Sequence, residues 1–302
     1  KQKADDAAAK LKAEDEKRQA EAASRQEAAK LKAENDLKIM REAEARRQAE
    51  IARRLEEKKK KQEEAKKKAE EKRLPDIPGM IGIPESRYFM GADADRHSVT
   101  VSPYYIDTRE VTVEQYSECV KSTRCNAPAQ TKEGCNWGNN DRNQHPINCI
   151  GWMEANNYCI WKGKRLPTEA EWELAAKGKT ENPYPWGRTP ATCSHAVITG
   201  ADGAKGCGAN STQPAGSKPL DKSPYGVMDM AGNVSEFVND WYSSSYPSAK
   251  KDPAGPLSGT FKVTRGGSWQ SNAGSANITL RSFTPMSSWS TGIGFRCARN
   301  LR

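Results

Sequence analysis

Hydrophobic positions fall into two regimes along this 302-residue chain. Over residues 5–73 they are sparse. Leu11, Leu31, Leu37, Ile39, Met40, Ile51 and Leu55 are the larger apolar side chains of a stretch otherwise made of Ala, Glu, Lys, Arg, Gln and a few small or polar residues. Strong helix formers dominate, and acids precede bases by four residues at Glu42/Arg46, Glu50/Arg54, Glu56/Lys60, Glu57/Lys61, Glu63/Lys67 and Glu64/Lys68, the order that supports an isolated helix. The pattern predicts one long charged α-helix, on the order of 110 Å if unbroken at 1.5 Å per residue. Its apolar positions do not hold an a/d heptad, so a coiled coil is open but not required. The run Ala8–Glu14 returns as Ala28–Glu34, 20 residues on, which is no multiple of seven. Pro75, Pro78 and Gly79 end the helix, because proline lacks the N–H donor and disfavours helix before it.

Beyond Pro84 the pattern becomes short extended runs, Arg96–Val101 and Pro103–Asp107, set among Gly, Asn, Ser and Trp. Helices are predicted over Thr112–Ser122, with Val113, Tyr116 and Val120 on one face, and over Gly151–Trp161. A third opens at Thr168, followed three residues later by Glu171 in a capping box. The expected organisation is a charged helical stalk (1–74), a linker (75–84) and an α+β domain of low regular content (85–302), long enough to close a substantial core.

Composition sharpens this division. Residues 1–74 hold no Gly, Pro, Cys or aromatic residue, and carry 24 Lys/Arg against 18 Asp/Glu. The chain's net charge is +9, but its basic excess is interleaved with acids along the helix, so no nucleic-acid partner is expected. Eight cysteines at irregular spacing, no CxxC pair and three histidines argue for disulfides over zinc and for an oxidising compartment. No apolar run approaches the roughly 20 residues needed to cross a bilayer. The chain opens at Lys1, so a leader or lipid anchor upstream is compatible with it.

Five ordered motifs now carry a resemblance: Lys162–Glu173 (KGKRLPTEAEWE), Tyr184–Gly187 (YPWG), Tyr225–Glu236 (YGVMDMAGNVSE), Arg265–Trp269 (RGGSW) and Gly294–Ala298 (GFRCA). They resemble the signatures of the formylglycine-generating-enzyme, or sulfatase-modifying factor, family. The resemblance implies a C-type-lectin-like fold, which the family shares with variable binding proteins of diversity-generating retroelements, ergothioneine-type sulfoxide synthases and ring lipoproteins of bacterial envelope machines. Fold alone therefore leaves function open.

Active members resemble one another in a run Gly-Gly-Ser-aromatic-x-Cys with a second Cys five residues on, two soft thiolates suited to copper(I). Here those positions are Ser271 and Ala276, so no copper is expected. The histidine after the first cysteine is Asn272, and the tryptophan of Gly-Asn-Ala-Trp-Glu-Trp is Ser235. The family's iron branch needs three histidines on a helical bundle, which His97, His145 and His195 do not supply; His145 matches a family structural segment. No Gly-x-Ser-x-Gly elbow or phosphate loop is present.

Other family positions survive. Asp229, Gly232, Val234 and Glu236 match ligands of a structural calcium, hard oxygen donors, with Glu110 as a further candidate. A second family calcium site, near Val197, Ile198 and Asp202, lacks matching side chains and is left unassigned. Cys159 and Cys297 coincide with a family disulfide. Cys119/Cys125, Cys135/Cys149 and Cys193/Cys207 pair by proximity alone, and eight cysteines allow 105 pairings. Arg281 matches a substrate-pocket arginine, and the former catalytic groove would present Ser268, Trp269, Gln270, Ser271, Asn272, Arg281, Phe283, Met286 and Trp289, a mixture of aromatic anchors and adaptable polar groups. The expected function is a non-catalytic module that recognises a protein or glycan, displayed on its stalk in the periplasm, at the outer membrane or outside a bacterial cell. Two other classes are a structural subunit that self-associates through the helix, and an oxidoreductase of the family with an altered metal site.

Overall fold

The computed structural model describes residues 2–71, 74–129 and 132–301. The chain divides into two units, Lys1–Glu71 and Lys72–Arg302.

The first unit is one helix, α1 (Gln2–Glu71). Among the predicted pairs, Glu50–Arg54, Glu56–Lys60 and Glu57–Lys61 close at 2.6, 3.4 and 2.7 Å, whereas Glu42 and Arg46 do not pair. The side chains of Leu11, Lys67 and Lys68, and Arg73 as a whole, lie outside the described residues. Leu31, Leu37, Ile39, Met40, Ile51 and Leu55 are all exposed, so α1 is held by propensity and local ion pairs.

The second unit begins earlier than the sequence suggests. Met80–Ile83, inside the expected linker, forms strand β1 and pairs antiparallel with β4 (Tyr104–Asp107), which pairs in turn with β9 (Ala298–Asn300). β2 (Ser86–Met90) and β3 (His97–Val101) form a hairpin. β5 (Ser235–Trp241), β6 (Phe261–Arg265), β7 (Arg281–Pro285) and β8 (Ile293–Phe295) form a sheet in the order β7-β6-β5-β8, with β5 and β8 parallel. The helices are α2 (Val113–Lys121), α3 (Trp152–Trp161) and α4 (Glu169–Lys177). Among the described residues no helix is long and apolar enough to cross a membrane.

The domain is built around α4. The Thr168 hydroxyl accepts from Glu171 N and the Glu171 carboxylate accepts from Thr168 N, which fixes the first turn. Every residue of α4 is buried, so Trp172, Leu174, Ala175 and Ala176 pack against β2, β3, β4 and β6. Its charged residues must then meet buried partners. Glu173 is held by Arg265 and Lys177, Glu171 by the fork of Arg165 at 2.6 Å, and Glu169 by the fork of Arg281 at 2.7 and 2.8 Å. A second apolar cluster joins α2 and α3 to β5 and β8 through Tyr116, Ile147, Trp152, Tyr158, Phe237 and Phe295. The disulfide Cys159–Cys297 ties α3 to the link between β8 and β9; Cys119–Cys125, Cys135–Cys149 and Cys193–Cys207 close local loops. Closing 138 residues of chain, the first restricts the unfolded state most.

Candidate functional site

β6 delivers the chain to Gly266 and Gly267, whose φ values of +95° and +72° turn it sharply away from the sheet. A Cβ placed on Gly267 would stand 3.3 Å from Ser271 Oγ and 3.1 Å from Ala276 Cα. The two positions that resemblance assigns to thiolates therefore both lie close to Gly267. Neither offers a metal donor of that kind. Ser271 Oγ accepts from Ser268 N at 3.0 Å, and Ala276 is fully buried beside Tyr184, Ala191, Ala196 and Ile198. All eight cysteines of the chain are in disulfides.

The expected groove divides into three parts. Ser268–Asn272 lies against Thr291 and Gly292: Trp269 donates its indole N–H to Thr291 O at 3.0 Å, and Gln270 reaches the Thr291 hydroxyl. Trp269 is 4% exposed, so its ring is packing rather than ligand surface, while Gln270 and Asn272 are exposed. Met286 and Trp289 form a second part beside Gly151 and Lys132; the Lys132 ammonium lies 5.4 Å from the Trp289 ring. Arg281 and Phe283 form a third along β7. Arg281 is not a free pocket cation, because Glu169 holds its fork, Ser243 O accepts from its remaining nitrogen, and the guanidinium stacks 4.2 Å above Tyr246.

The second candidate site is the loop ending in β5. Gly232, at φ +133°, passes so close to Val197 O that a Cβ would stand 2.7 Å from it, and Asp229 and Asn233 also take positive φ. Glu110 clamps this loop: its oxygens accept from Asn233 Nδ2 at 2.7 Å and Val234 N at 3.1 Å. Glu236 accepts from Arg296 at 2.6 and 2.7 Å and from Trp172 Nε1 at 2.7 Å, and Asp229 accepts from Gly216 N. Sequence reasoning missed a fourth acid, Asp221, buried with one carboxylate oxygen unpartnered; its only signal is a lone Asp just ahead of the Tyr225–Glu236 motif. Burial, with the charges of Asp229 and Glu236, pushes the Glu110 carboxyl well up. Burial and Asp229 do the same to Asp221. Burial raises Asp229 to about 6 against the pull of the Gly216 N–H and Arg296.

Among the described residues no three His, Cys, Asp or Glu side chains surround one metal position. Glu110 accepts from the loop's own N–H groups, and Glu236 from Arg296 and Trp172. The oxygen-only chemistry nevertheless fits a hard divalent cation, since four buried carboxylates face the single buried guanidinium of Arg296. Asp229 and the Gly232 and Val234 carbonyls are the groups that would hold it. The histidines lie apart. His145 meets the Thr212 hydroxyl and is pushed down to about 4 by burial and Arg142, His195 stacks on Trp186, and His97 lies tilted against Tyr246.

Comparison with known proteins agrees with this architecture. Residues 63–301 match the sulfatase-modifying factor enzyme 1-like domain. The formylglycine-generating enzyme of Thermomonospora curvata is 30% identical over 289 aligned residues, covering 73% of this chain and 93% of that protein. The solved structure of PvdO from Pseudomonas aeruginosa is 26% identical and superposes with a TM-score of 0.63, covering 76% of this chain and 96% of that one. Treponema denticola variable protein 1 shares the fold at 24% identity and a TM-score of 0.59, over 74% and 95% of the two chains.

Proposed function

The chain belongs to the sulfatase-modifying factor enzyme 1-like family, and from that premise we propose that its domain recognises a ligand without transforming it. The observation that carries this reading is the replacement of both thiolate positions, by a serine whose hydroxyl is bonded to the Ser268 amide and by a buried alanine, in a chain whose cysteines are all in disulfides. No soft-donor copper site can form from these residues. The surface beside them presents Gln270 and Asn272 with the half-buried Met286 and Trp289, adaptable polar groups around apolar anchors. Four disulfides support an oxidising location in the cell envelope or outside the cell, and α1 would display the domain there. Full-length protein supplied with copper(I) and a cysteine-containing peptide should consume no oxygen. Stoichiometric copper with turnover would overturn this reading.

The acidic cluster supports calcium as a structural ion. It would offset the carboxylates crowded around Arg296, with Asp229 and the Gly232 and Val234 carbonyls as ligands. Protein stripped with EGTA should melt several degrees lower than protein in calcium, since a hundredfold excess over Kd stabilises by about 2.7 kcal/mol. A melting temperature indifferent to both EGTA and added calcium would remove the ion from the account.

A further inference from the structure

β7 is an edge strand: it pairs with β6 on one side and, among the described residues, with no strand on the other. Pro285 blunts one end, leaving the outward N–H and C=O groups of 281–284 as an open ladder. A row of rings and one guanidinium reaches β7 across the sheet face, from Tyr242 and Tyr246 after β5 to Phe283 on β7 and Phe261 on β6. His97 meets Tyr246 at 4.9 Å, Arg281 lies 4.2 Å from Tyr246 and 5.1 Å from Tyr242, Tyr242 meets Phe283 at 4.2 Å, and Phe283 meets Phe261 at 5.1 Å. At the Phe261 end the row is open to solvent, with Phe283 49% and Phe261 36% exposed.

At the other end it reaches a cavity of about 490 Å³ lined by Arg87, Arg96, Lys250 and Ser98 as well as His97 and Tyr246. Arg96 is paired with Glu181 at 3.1 Å. Arg87 uses only Nε, donated to Ser98 Oγ at 2.8 Å, and neither its guanidinium nor the Lys250 ammonium meets a carboxylate among the described residues. One acid, Asp95, lines the same cavity, so its charge is net positive.

An unpaired strand edge, apolar rings beside it and a cationic pocket at its head form one surface with two chemistries. From it we infer that β7 docks an extended, acidic peptide segment of a partner protein, which adds a strand to the sheet, lays apolar side chains against Phe283 and Phe261, and places carboxylates by Arg87 and Lys250. A peptide is favoured over an acidic glycan because only a peptide answers the open backbone ladder with main-chain hydrogen bonds. The inference rests on the recognition reading above and names its partner class; its surface is distinct from the loop at Gln270 and Trp289.

The test is a phage-displayed library of random dodecapeptides panned against the full chain. Enriched sequences should carry Asp or Glu toward one end and apolar residues at alternate positions. A fluorescein-labelled copy of the most enriched peptide should lose at least about tenfold in affinity to Phe283→Ser and to Arg87→Ser, both exposed positions whose variants should melt as the wild type does. A copy N-methylated at alternate residues, which cannot extend the ladder, should not bind. Enrichment of no peptide overturns the inference, as does a peptide that binds both variants like wild type or tolerates N-methylation. Polygalacturonate bound in place of peptides, and lost with the same variants, assigns the surface to a glycan instead. Binding abolished by Trp289→Ala and unaffected by Phe283→Ser leaves the recognition reading standing and removes β7 from it.

Discussion

Arg296→Met should destabilise the domain by about 3–5 kcal/mol at neutral pH, the cost of breaking a buried ion pair and leaving its partner charge in place. Arg296 is fully buried and lowers the pKa of Glu110, Asp221 and Asp229 while pairing with Glu236; Arg109 acts on Asp229 as well. Arg296 grips Glu236 with two nitrogens and donates to Asp107 O and Met228 O, so it also ties β4, the loop before β5 and the link after β8 together. Methionine fills part of the same volume, and the loss read in urea unfolding is then mostly electrostatic. The pH dependence follows from the direction of the shifts. A carboxyl whose folded pKa lies above its unfolded value keeps its proton longer in the folded state, so folding is favoured most at low pH and stability declines as pH rises toward the folded value. Asp229, at about 6 in the native domain, and the more strongly raised Glu110 and Asp221 all move further up without Arg296. The variant's deficit should therefore be larger at pH 7.5 than at pH 5, and calcium in excess should recover part of it. A deficit equal at both pH values and untouched by calcium would mean that Arg296 acts through packing and its carbonyl bonds alone.

What could be read from the sequence followed the range of the interaction concerned. The helix α1 needs only local propensity, and the Thr168/Glu171 cap is encoded within four residues; both are visible before any tertiary contact is known. β1 was hidden because Met-Ile-Gly-Ile has no alternation and becomes a strand only by pairing with β4, 21 to 27 residues away. β8 and β9 are three residues each, too short for a period to show. At the site, motif order located the loops but could not tell which groups face inward. Trp269 and Gln270 are neighbours in a loop, one buried and one exposed. Arg281 reads as a pocket cation until its partner Glu169, 112 residues away, is seen holding its fork. Asp221 belongs to no motif, and only the fold places it near Asp229.

Placing cysteines at both positions, by Ser271→Cys with Ala276→Cys, should give the domain a copper(I) site. Both positions lie near Gly267, with Ser271 Oγ and Ala276 Cα each within 3.3 Å of where a Cβ on that glycine would stand. Soft thiolates there would bind one copper(I) per chain under reducing conditions, and the same pair would close a fifth disulfide under oxidising ones. The change has a structural cost. Ala276 is fully buried against Tyr184 and Ile198, so the added sulfur overpacks that cluster by about 1–3 kcal/mol, while Ser271, half-buried and already hydrogen-bonded, accepts sulfur more readily. Metal binding should not bring oxygen uptake with it, because Ser235 donates to Arg265 O where active relatives resemble one another in a tryptophan, and Asn272 caps Ser275 N where they carry histidine. Copper titration with a competing chelator reads the first expectation and an oxygen electrode the second. Tight copper without turnover would show that the fold keeps the cradle and has lost the chemistry around it. A double variant that takes up no copper and forms no fifth disulfide would show that the two positions do not converge in solution.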